Sequence, residues 1–346
     1  MLSQRAEPAA MAAVELHISI SISSGIPIPM LKDLAVFQWM SKRDNPLNGK
    51  PIQPLGVGFP YFAMLPADLY RSGLAAFVEI TPETLCRQRA TGTTVQIGIL
   101  PDRMATAQQT CDGLPVVIHG VELSIGSAHG LNNAYLQMLD SFQKEWPFVW
   151  HSEHLGFQTI AGDNNSSLEI GVPLPMPATV EAVDLVAARS ANILERYDVP
   201  FLLENPAHYF SDLPADPEIG NEYRFLNALT EKSGCYLLLD LHNLYCNAVN
   251  HHFEAREVID TLPLDCVIEI HVAGGSWRDG FWMDAHDGRV PEPVWELLEY
   301  VLPIAPNVAG VVFELLEEYA IRLGVSAIEN ELRRAWQIWN LTRGAN

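Results

Sequence analysis

Residues 235–243 read Cys-Tyr-Leu-Leu-Leu-Asp-Leu-His-Asn, a short apolar run that ends in polar side chains. A continuous apolar run of this length is typical of a buried strand in a parallel sheet. Similar runs recur along the chain, and longer segments with helical periodicity lie between them. This alternation predicts β/α units built around a parallel sheet.

Eight runs of this kind are predicted strands, near residues 54–58, 75–80, 115–119, 147–152, 200–204, 235–240, 266–271 and 308–313. The predicted helices include 131–145, 177–197, 219–233 and 291–302, and a final amphipathic helix is expected at about 326–341. Eight parallel strands favour closure into a barrel. The predicted fold is therefore an α/β (β/α)8 barrel, or TIM barrel.

The first fifty residues do not share this pattern. Residues 13–23 alternate apolar and polar side chains, as a half-buried strand does, and residues 24–53 are Pro-rich and without period. We therefore expect residues 1–53 to be an N-terminal extension and residues 54–346 to be a single TIM-barrel catalytic domain.

Composition limits the class of protein and its partners. The chain of 346 residues has 42 acidic and 21 basic side chains, a formal charge of −21, which disfavours nucleic-acid binding. Its five cysteines form no Cys-x-x-Cys pair, which fits a reducing cytoplasm better than a disulfide framework. No secretory signal or membrane-spanning run is visible. We expect a cytoplasmic protein without a membrane partner.

Six predicted strands end in side chains that can bind metals. In order, these ends are His119, the segment His151-Ser-Glu153-His154, Glu204-Asn205, the segment Asp240-Leu-His-Asn243, Glu269-Ile-His271, and Glu314. The carboxyl ends of barrel strands converge on one mouth. The sequence therefore predicts a polar cluster at that mouth.

The segment Asp284-Ala-His286 adds two more candidates, because a two-residue step along extended chain points both side chains the same way. A single buried His is more often a hydrogen-bonded core residue than a ligand. Glu204, however, follows three apolar residues, and a buried carboxylate needs a cation, a donor or a proton. Mixed His, Asp and Glu ligands favour iron, manganese or zinc over copper(I) or an iron–sulfur cluster.

Other histidines are interpreted as structural. His242 lies between Asp240 and Asn243 and is expected to point to the opposite side, with an indirect role in support of a ligand still open. Four more lie in loop-like sequence and are expected on the surface or at helix ends: His129, His208, His251 and His252.

Taken in order, these motifs resemble those of the multinuclear non-heme iron-dependent oxidases related to the methanobactin-biosynthesis oxidase, which have a xylose-isomerase-like barrel. The resemblance covers about residues 54–318 and rests on Ile-His119-Gly, Ser-Glu153-His154-Leu, Leu-Leu-Glu204-Asn205-Pro, Leu-Leu-Asp240-Leu-His-Asn243, Ile-His271-Val-Ala-Gly-Gly and Asp284-Ala-His286-Asp287.

The resemblance implies two or three iron ions, Fe(II) and Fe(III), with O2 as co-substrate. The implied ligands are His119, His154, Glu204, Asp240, Asn243, His271, Asp284, His286 and Glu314. Glu153 and Glu79 are further acidic positions that match the family pattern. Members oxidise Cys or other side chains of ribosomally made precursor peptides, often with a partner protein that binds the peptide leader. No catalytic acid or base is assigned.

Two departures from the family pattern bear on the number of irons. Many relatives carry a His in the first-strand segment, where this chain has Gly-Val-Gly-Phe59-Pro60-Tyr61. Relatives also commonly place an Asp shortly after the final Glu, where this chain has Glu314-Leu-Leu-Glu317. These departures leave the number of irons, two or three, open.

Two alternatives stay open at this point. The first is another xylose-isomerase-like metalloenzyme, a sugar isomerase or an apurinic endonuclease, although such endonucleases carry a His where this chain has Asn243 and the acidic charge opposes phosphate binding. The second is a non-catalytic barrel subunit of a peptide-maturation complex. Loss of the first-strand His favours the second alternative, and retention of the other buried ligand-type residues argues against it.

Overall fold

The computed structural model describes residues 52–91, 94–161, 167–210 and 212–344, which lie in one compact unit. Nearly all of the predicted N-terminal extension, including the predicted strand at 13–23, lies outside these residues. The predicted domain boundary at residue 53 stays a prediction.

Within the described residues the strands are β1 (Gly56–Pro60), β2 (Phe77–Ile80), β3 (Cys86–Thr91), β4 (Thr94–Ile99), β5 (Val116–Gly120), β6 (His151–His154), β7 (Gly156–Ala161), β8 (Ser167–Pro175), β9 (Phe201–Glu204), β10 (Tyr236–Asp240), β11 (Val267–Ala273), β12 (Ser276–Arg278), β13 (Phe281–Met283) and β14 (Gly310–Glu314). Eight of them close into a parallel barrel in the order β1-β14-β11-β10-β9-β6-β5-β2. The predicted (β/α)8 barrel is confirmed, with each barrel strand overlapping a predicted one.

The helices of the described residues are α1 (Ala67–Arg71), α2 (Pro101–Thr110), α3 (Asn133–Glu145), α4 (Val180–Arg196), α5 (Glu222–Ser233), α6 (Leu241–His251), α7 (Ala255–Ile259), α8 (Glu292–Val301), α9 (Glu317–Leu323) and α10 (Val325–Arg343). None of them is both long enough and apolar enough to cross a membrane. The other six strands form three antiparallel hairpins, β3–β4, β7–β8 and β12–β13, which the sequence analysis did not predict.

The barrel interior is layered. Its apolar layer is one fully buried cluster to which the strands contribute one face each: Phe77, Val117, Trp150, Leu202, Leu238, Ile268, Ala309 and Val312. Side chains two positions along a strand share a face. The next interior positions after Val117, Leu202 and Leu238 are therefore His119, Glu204 and Asp240. Strand periodicity thus places the predicted polar cluster directly above this apolar layer.

Strand β11 needs an irregularity to join this pattern. Leu237 pairs with Val267 but Leu238 pairs with Glu269, so Ile268 is an extra residue in the ladder. Such a bulge re-aims the side chains that follow it. Because of the bulge, Glu269 and His271 face the barrel interior even though Ile268, the residue just before Glu269, also faces inward. The register then sets Asp240 beside His271, and His154 beside Glu204.

Candidate metal centre

Two histidines turn their Nε2 atoms toward Glu204. The Ser152 hydroxyl donates to the Ile118 carbonyl, so it accepts from His119 Nδ1 at 3.0 Å. His154 Nδ1 is 3.1 Å from the Gly120 carbonyl oxygen, which can only accept. Both rings therefore carry their proton on Nδ1. The Nε2 atoms of His119 and His154 lie 3.4 and 3.3 Å from Glu204 Oε2.

A second group lies beside the first. One ligand-type atom from each of Glu204, Asp240, His271 and Glu314 lies within 4.8 Å of the others. His271 is wedged between two carboxylates, with Nδ1 3.1 Å from Glu314 Oε2 and Nε2 2.9 Å from Glu79 Oε2. Its Nδ1 side faces the cluster, and its Nε2 side faces away from it.

The segment after β13 contributes the last pair. His286 Nε2 lies 2.8 Å from Asp284 Oδ1 and 3.6 Å from Glu314 Oε2, so this pair joins the second group through Glu314. His286 has a φ of 47°, a left-handed backbone conformation that is uncommon for a side chain other than glycine. The two-residue step from Asp284 to His286 does bring both side chains to one place, as expected.

Asp240 and Asn243 complete the set of nine predicted ligands. Asp240 Oδ1 accepts the backbone N–H of Asn243 at 2.6 Å and so caps α6. Asn243 Nδ2 donates to Glu204 Oε1 at 3.2 Å and to the Asn205 carbonyl at 3.1 Å. The structure therefore brings all nine side chains to the mouth of one barrel.

Burial and charge together set the electrostatics of this centre. Burial, reinforced by the charge of Glu204, raises the pKa of Asp240 to about 8. Burial lowers the pKa of His119 well below its usual range, and neighbouring His154 adds to the effect. Burial also opposes ionisation of Glu314, but the charges of His286 and His271 outweigh it and lower the Glu314 pKa.

The expected direction of the His242 side chain is wrong, whereas the indirect supporting role left open for it stays a prediction. Strand β10 ends at Asp240 and α6 begins at Leu241, so alternation along a strand no longer governs His242. Its ring turns back to the cluster, where Nδ1 lies 2.9 Å from Asp284 Oδ1. His242 is 0% exposed.

The two further acidic positions do not join the nine. Glu153 lies on the outer face of β6, where Oε1 is 2.7 Å from His151 Nε2. Glu79 lies behind His271 and contacts its Nε2. Glu269, named at the end of its strand but not among the predicted ligands, is fully buried, accepts the Trp150 indole N–H at 2.9 Å and lies beside Glu79 and His271. Its spacing of two from His271 was the available signal.

The donor set fits metal ions. Five of the predicted ligands have a buried polar atom with no hydrogen-bond partner among the described residues, namely His119 Nε2, Glu204 Oε2, Asp240 Oδ2, Asn243 Oδ1 and His286 Nε2, the last of which lies against Asp284 without hydrogen-bond geometry. Buried polar atoms are rarely left unpaired, so five of them in one cluster fit a site for cations. Imidazole and oxygen donors without thiolate suit iron, manganese or zinc.

Comparison with known proteins identifies the family. A UPF0276 protein of Caulobacter vibrioides is 38% identical over 185 residues, 54% of this chain and 63% of the relative. One from Rhizorhabdus wittichii is 38% identical over 199 residues, 57% of this chain and 68% of the relative. The match to the first thus spans less than two thirds of its length. A crystal structure of IOLI protein with a zinc atom aligns with a TM-score of 0.46 and 11% identity, over 83% of this chain and 97% of that one. The family model for the RiPP precursor modification enzymes MbnB/TglH/ChrH matches residues 56–338, so the chain belongs to that family.

Proposed function

We propose that the chain is a multinuclear non-heme iron-dependent oxidase that uses O2 to modify a side chain, preferentially Cys, of a ribosomally synthesised precursor peptide. Family membership supports a peptide substrate. The observation that carries the metal-dependent part is the pair of His Nε2 atoms that face Glu204 Oε2 while the Nδ1 atoms of both rings donate elsewhere. Without a proton or a cation between them, these three lone-pair-bearing atoms would repel one another.

The proposed ligands are the nine predicted residues, His119, His154, Glu204, Asp240, Asn243, His271, Asp284, His286 and Glu314. Nine side chains exceed the six positions of one octahedral ion, which supports at least two iron ions, in Fe(II) and Fe(III) states. Strand β1 turns Gly58 and Pro60 inward and adds no ligand of its own.

Bound iron would supply the redox chemistry that couples reduction of O2 to oxidation of the peptide side chain. The protein's own groups hold the ligands in place. Glu79 accepts the Nε2–H of His271, which directs Nδ1 to the cluster, and Ser152 does the same for His119 through Nδ1. Hydrogen-bonded supports of this kind orient metal ligands and raise their basicity.

A leader-binding partner protein and a cytoplasmic location complete the proposal. Because members of the resembled family often act with a partner protein that binds the peptide leader, we assign recognition of the leader to such a partner. The barrel domain, residues 54–346 in the proposed division, would hold the reaction site.

The experiment is mass spectrometry of the precursor peptide after incubation with anaerobically iron-loaded protein, its partner and O2. Asp240→Asn is the informative variant, because it keeps an oxygen that can cap α6 but loses the carboxylate charge. We expect a change in peptide mass that Asp240→Asn abolishes. The exposed residue His252 supplies the control, His252→Asn, which should leave the reaction unchanged. An unchanged peptide mass with iron-loaded protein, partner and O2 present would contradict the proposal. Zinc alone as the bound metal would contradict its redox part.

A further inference from the structure

A chain of hydrogen bonds reaches Asp284 from outside the nine proposed ligands. The Trp282 indole Nε1–H donates to His242 Nε2 at 3.1 Å. An indole N–H can only donate, so His242 Nε2 carries the lone pair and the ring proton lies on Nδ1. That proton is donated to Asp284 Oδ1 at 2.9 Å. The Trp282 N–H thus fixes which nitrogen of His242 carries the proton, and that nitrogen donates to Asp284, a proposed ligand.

His242, Cys246 and Asp284 also lie close enough together to suggest a metal site of their own. Cys246 Sγ lies 3.9 Å from His242 Nδ1 and 3.8 Å from Nε2. Nearly equal distances of this size place the sulfur over the face of the ring, because a position in the ring plane would overlap ring carbons. A metal bound by imidazole lies in the ring plane, along a nitrogen lone pair. The geometry therefore argues against a shared metal.

The surroundings of His242 hold it in this orientation. The backbone N–H and C=O of Trp282 are both bonded to the Asn250 amide of α6, each at 2.9 Å. Gly275 packs against the ring, and a Cβ there would come within 2.8 Å of His242 Nε2. The Asp284 backbone N–H donates to the Tyr209 hydroxyl at 2.9 Å. Asp284 is thus fixed at its backbone and at its carboxylate.

We propose that His242, oriented by Trp282, is a positioning residue that presents the Asp284 carboxylate to the metal centre without binding metal itself. This inference rests on the metal-binding part of the proposed function and not on its peptide chemistry. Loss of such a support typically weakens metal binding about 10- to 100-fold.

Cobalt(II) titration of the metal-free protein under nitrogen, against a competing chelator, tests the proposal without O2 or peptide. His242→Leu should lower the affinity for the cobalt ion that Asp284 binds by about 10- to 100-fold. The visible spectrum of that bound cobalt should also change. His242→Asn keeps an N–H donor near the Nδ1 position and should restore most of the affinity. Trp282→Phe removes the indole N–H but keeps an aromatic ring, although a smaller one, and should give an intermediate loss. His252→Asn, on the exposed end of α6, is the matched control and should bind cobalt as the wild type does.

Cys246→Ser separates the two interpretations of the cluster. We expect no thiolate-to-cobalt charge-transfer band in the wild type and unchanged affinity in this variant. A band that Cys246→Ser abolishes would overturn the proposal and make the cluster a metal site. Unchanged affinity and spectrum in His242→Leu would also overturn it. Thermal unfolding of each metal-free variant checks that it folds. If His242→Leu does not fold, the cobalt affinity of Trp282→Phe is compared with that of His252→Asn, and equal affinities would overturn the proposal.

Discussion

Replacing Trp150 by Phe removes one N–H group from the floor of the metal centre. The Trp150 side chain is 1% exposed, and its Nε1–H donates to Glu269 Oε2 at 2.9 Å. The other carboxyl oxygen, Oε1, already lacks a hydrogen-bond partner among the described residues. In Trp150→Phe, Glu269 would therefore be buried with neither oxygen paired.

Two effects set the size of the loss. Leaving a buried acceptor unpaired costs about 1–3 kcal/mol. The smaller ring leaves a gap of about 40 Å³, which costs about 1 kcal/mol at about 24 cal/mol per Å³. We expect Trp150→Phe to lower the free energy of unfolding by about 2–4 kcal/mol, of which the larger part comes from Glu269.

Urea unfolding followed by far-ultraviolet circular dichroism measures this loss as a lower midpoint at unchanged slope. Trp146→Phe is the matched control, because Trp146 is only half-buried and stacks on Phe142. In a Glu269→Leu background, Trp150→Phe should cost only the cavity, about 1 kcal/mol. A loss below about 1 kcal/mol in the wild-type background, or an equal loss in both backgrounds, would refute the reasoning.

Three further predictions follow from the structure and composition. Burial raises the pKa of Glu83 to about 7, so the native state holds this proton more tightly than the unfolded state does, and stability is lost as pH rises from about 4.5 to about 7; urea unfolding across that range should show Glu83→Gln gaining stability relative to the wild type, and a constant difference would contradict this. Gly275→Ala would overlap the Met283 carbonyl oxygen and should destabilise by about 1–3 kcal/mol in the same assay, whereas Gly288→Ala, with open space, should not. With 42 acidic and 21 basic residues, the protein should not bind duplex DNA with submicromolar affinity near physiological salt in a fluorescence anisotropy titration, and such binding would count against the predicted absence of a nucleic-acid partner.

The barrel could be predicted because its strands are buried on both faces. Such strands appear in the sequence as continuous apolar runs, and the polar side chain at each end marks the mouth. The hairpins lack this signal, since their strands mix polar and apolar residues. One signal for β12–β13 was present, however. Asp279-Gly280, with φ angles of 50° and 88°, is a typical two-residue hairpin turn between the paired residues Arg278 and Phe281.

The residues of the candidate site could be predicted from the sequence, but the side chains that hold them in place could not. His242 was misplaced because strand alternation was extended past Asp240, although an Asp after an apolar run is a common helix start. The bulge at Ile268, which lets both Ile268 and Glu269 face inward, was not predicted. A bulge depends on pairing between strands, and a single strand's sequence does not show it.

Helix α6 starts directly at the end of β10, with Asp240 as its N-cap. The first turn of a helix carries a partial positive charge, about half of one elementary charge. In this barrel that charge belongs to the backbone, so it cannot be chelated, exchanged or oxidised. It lies beside the carboxylates of Asp240 and Glu204, to which Asn243 in the same turn donates two hydrogen bonds. The fold thus places a fixed partial positive charge where acidic side chains would otherwise repel one another, and this charge does not depend on a bound ion.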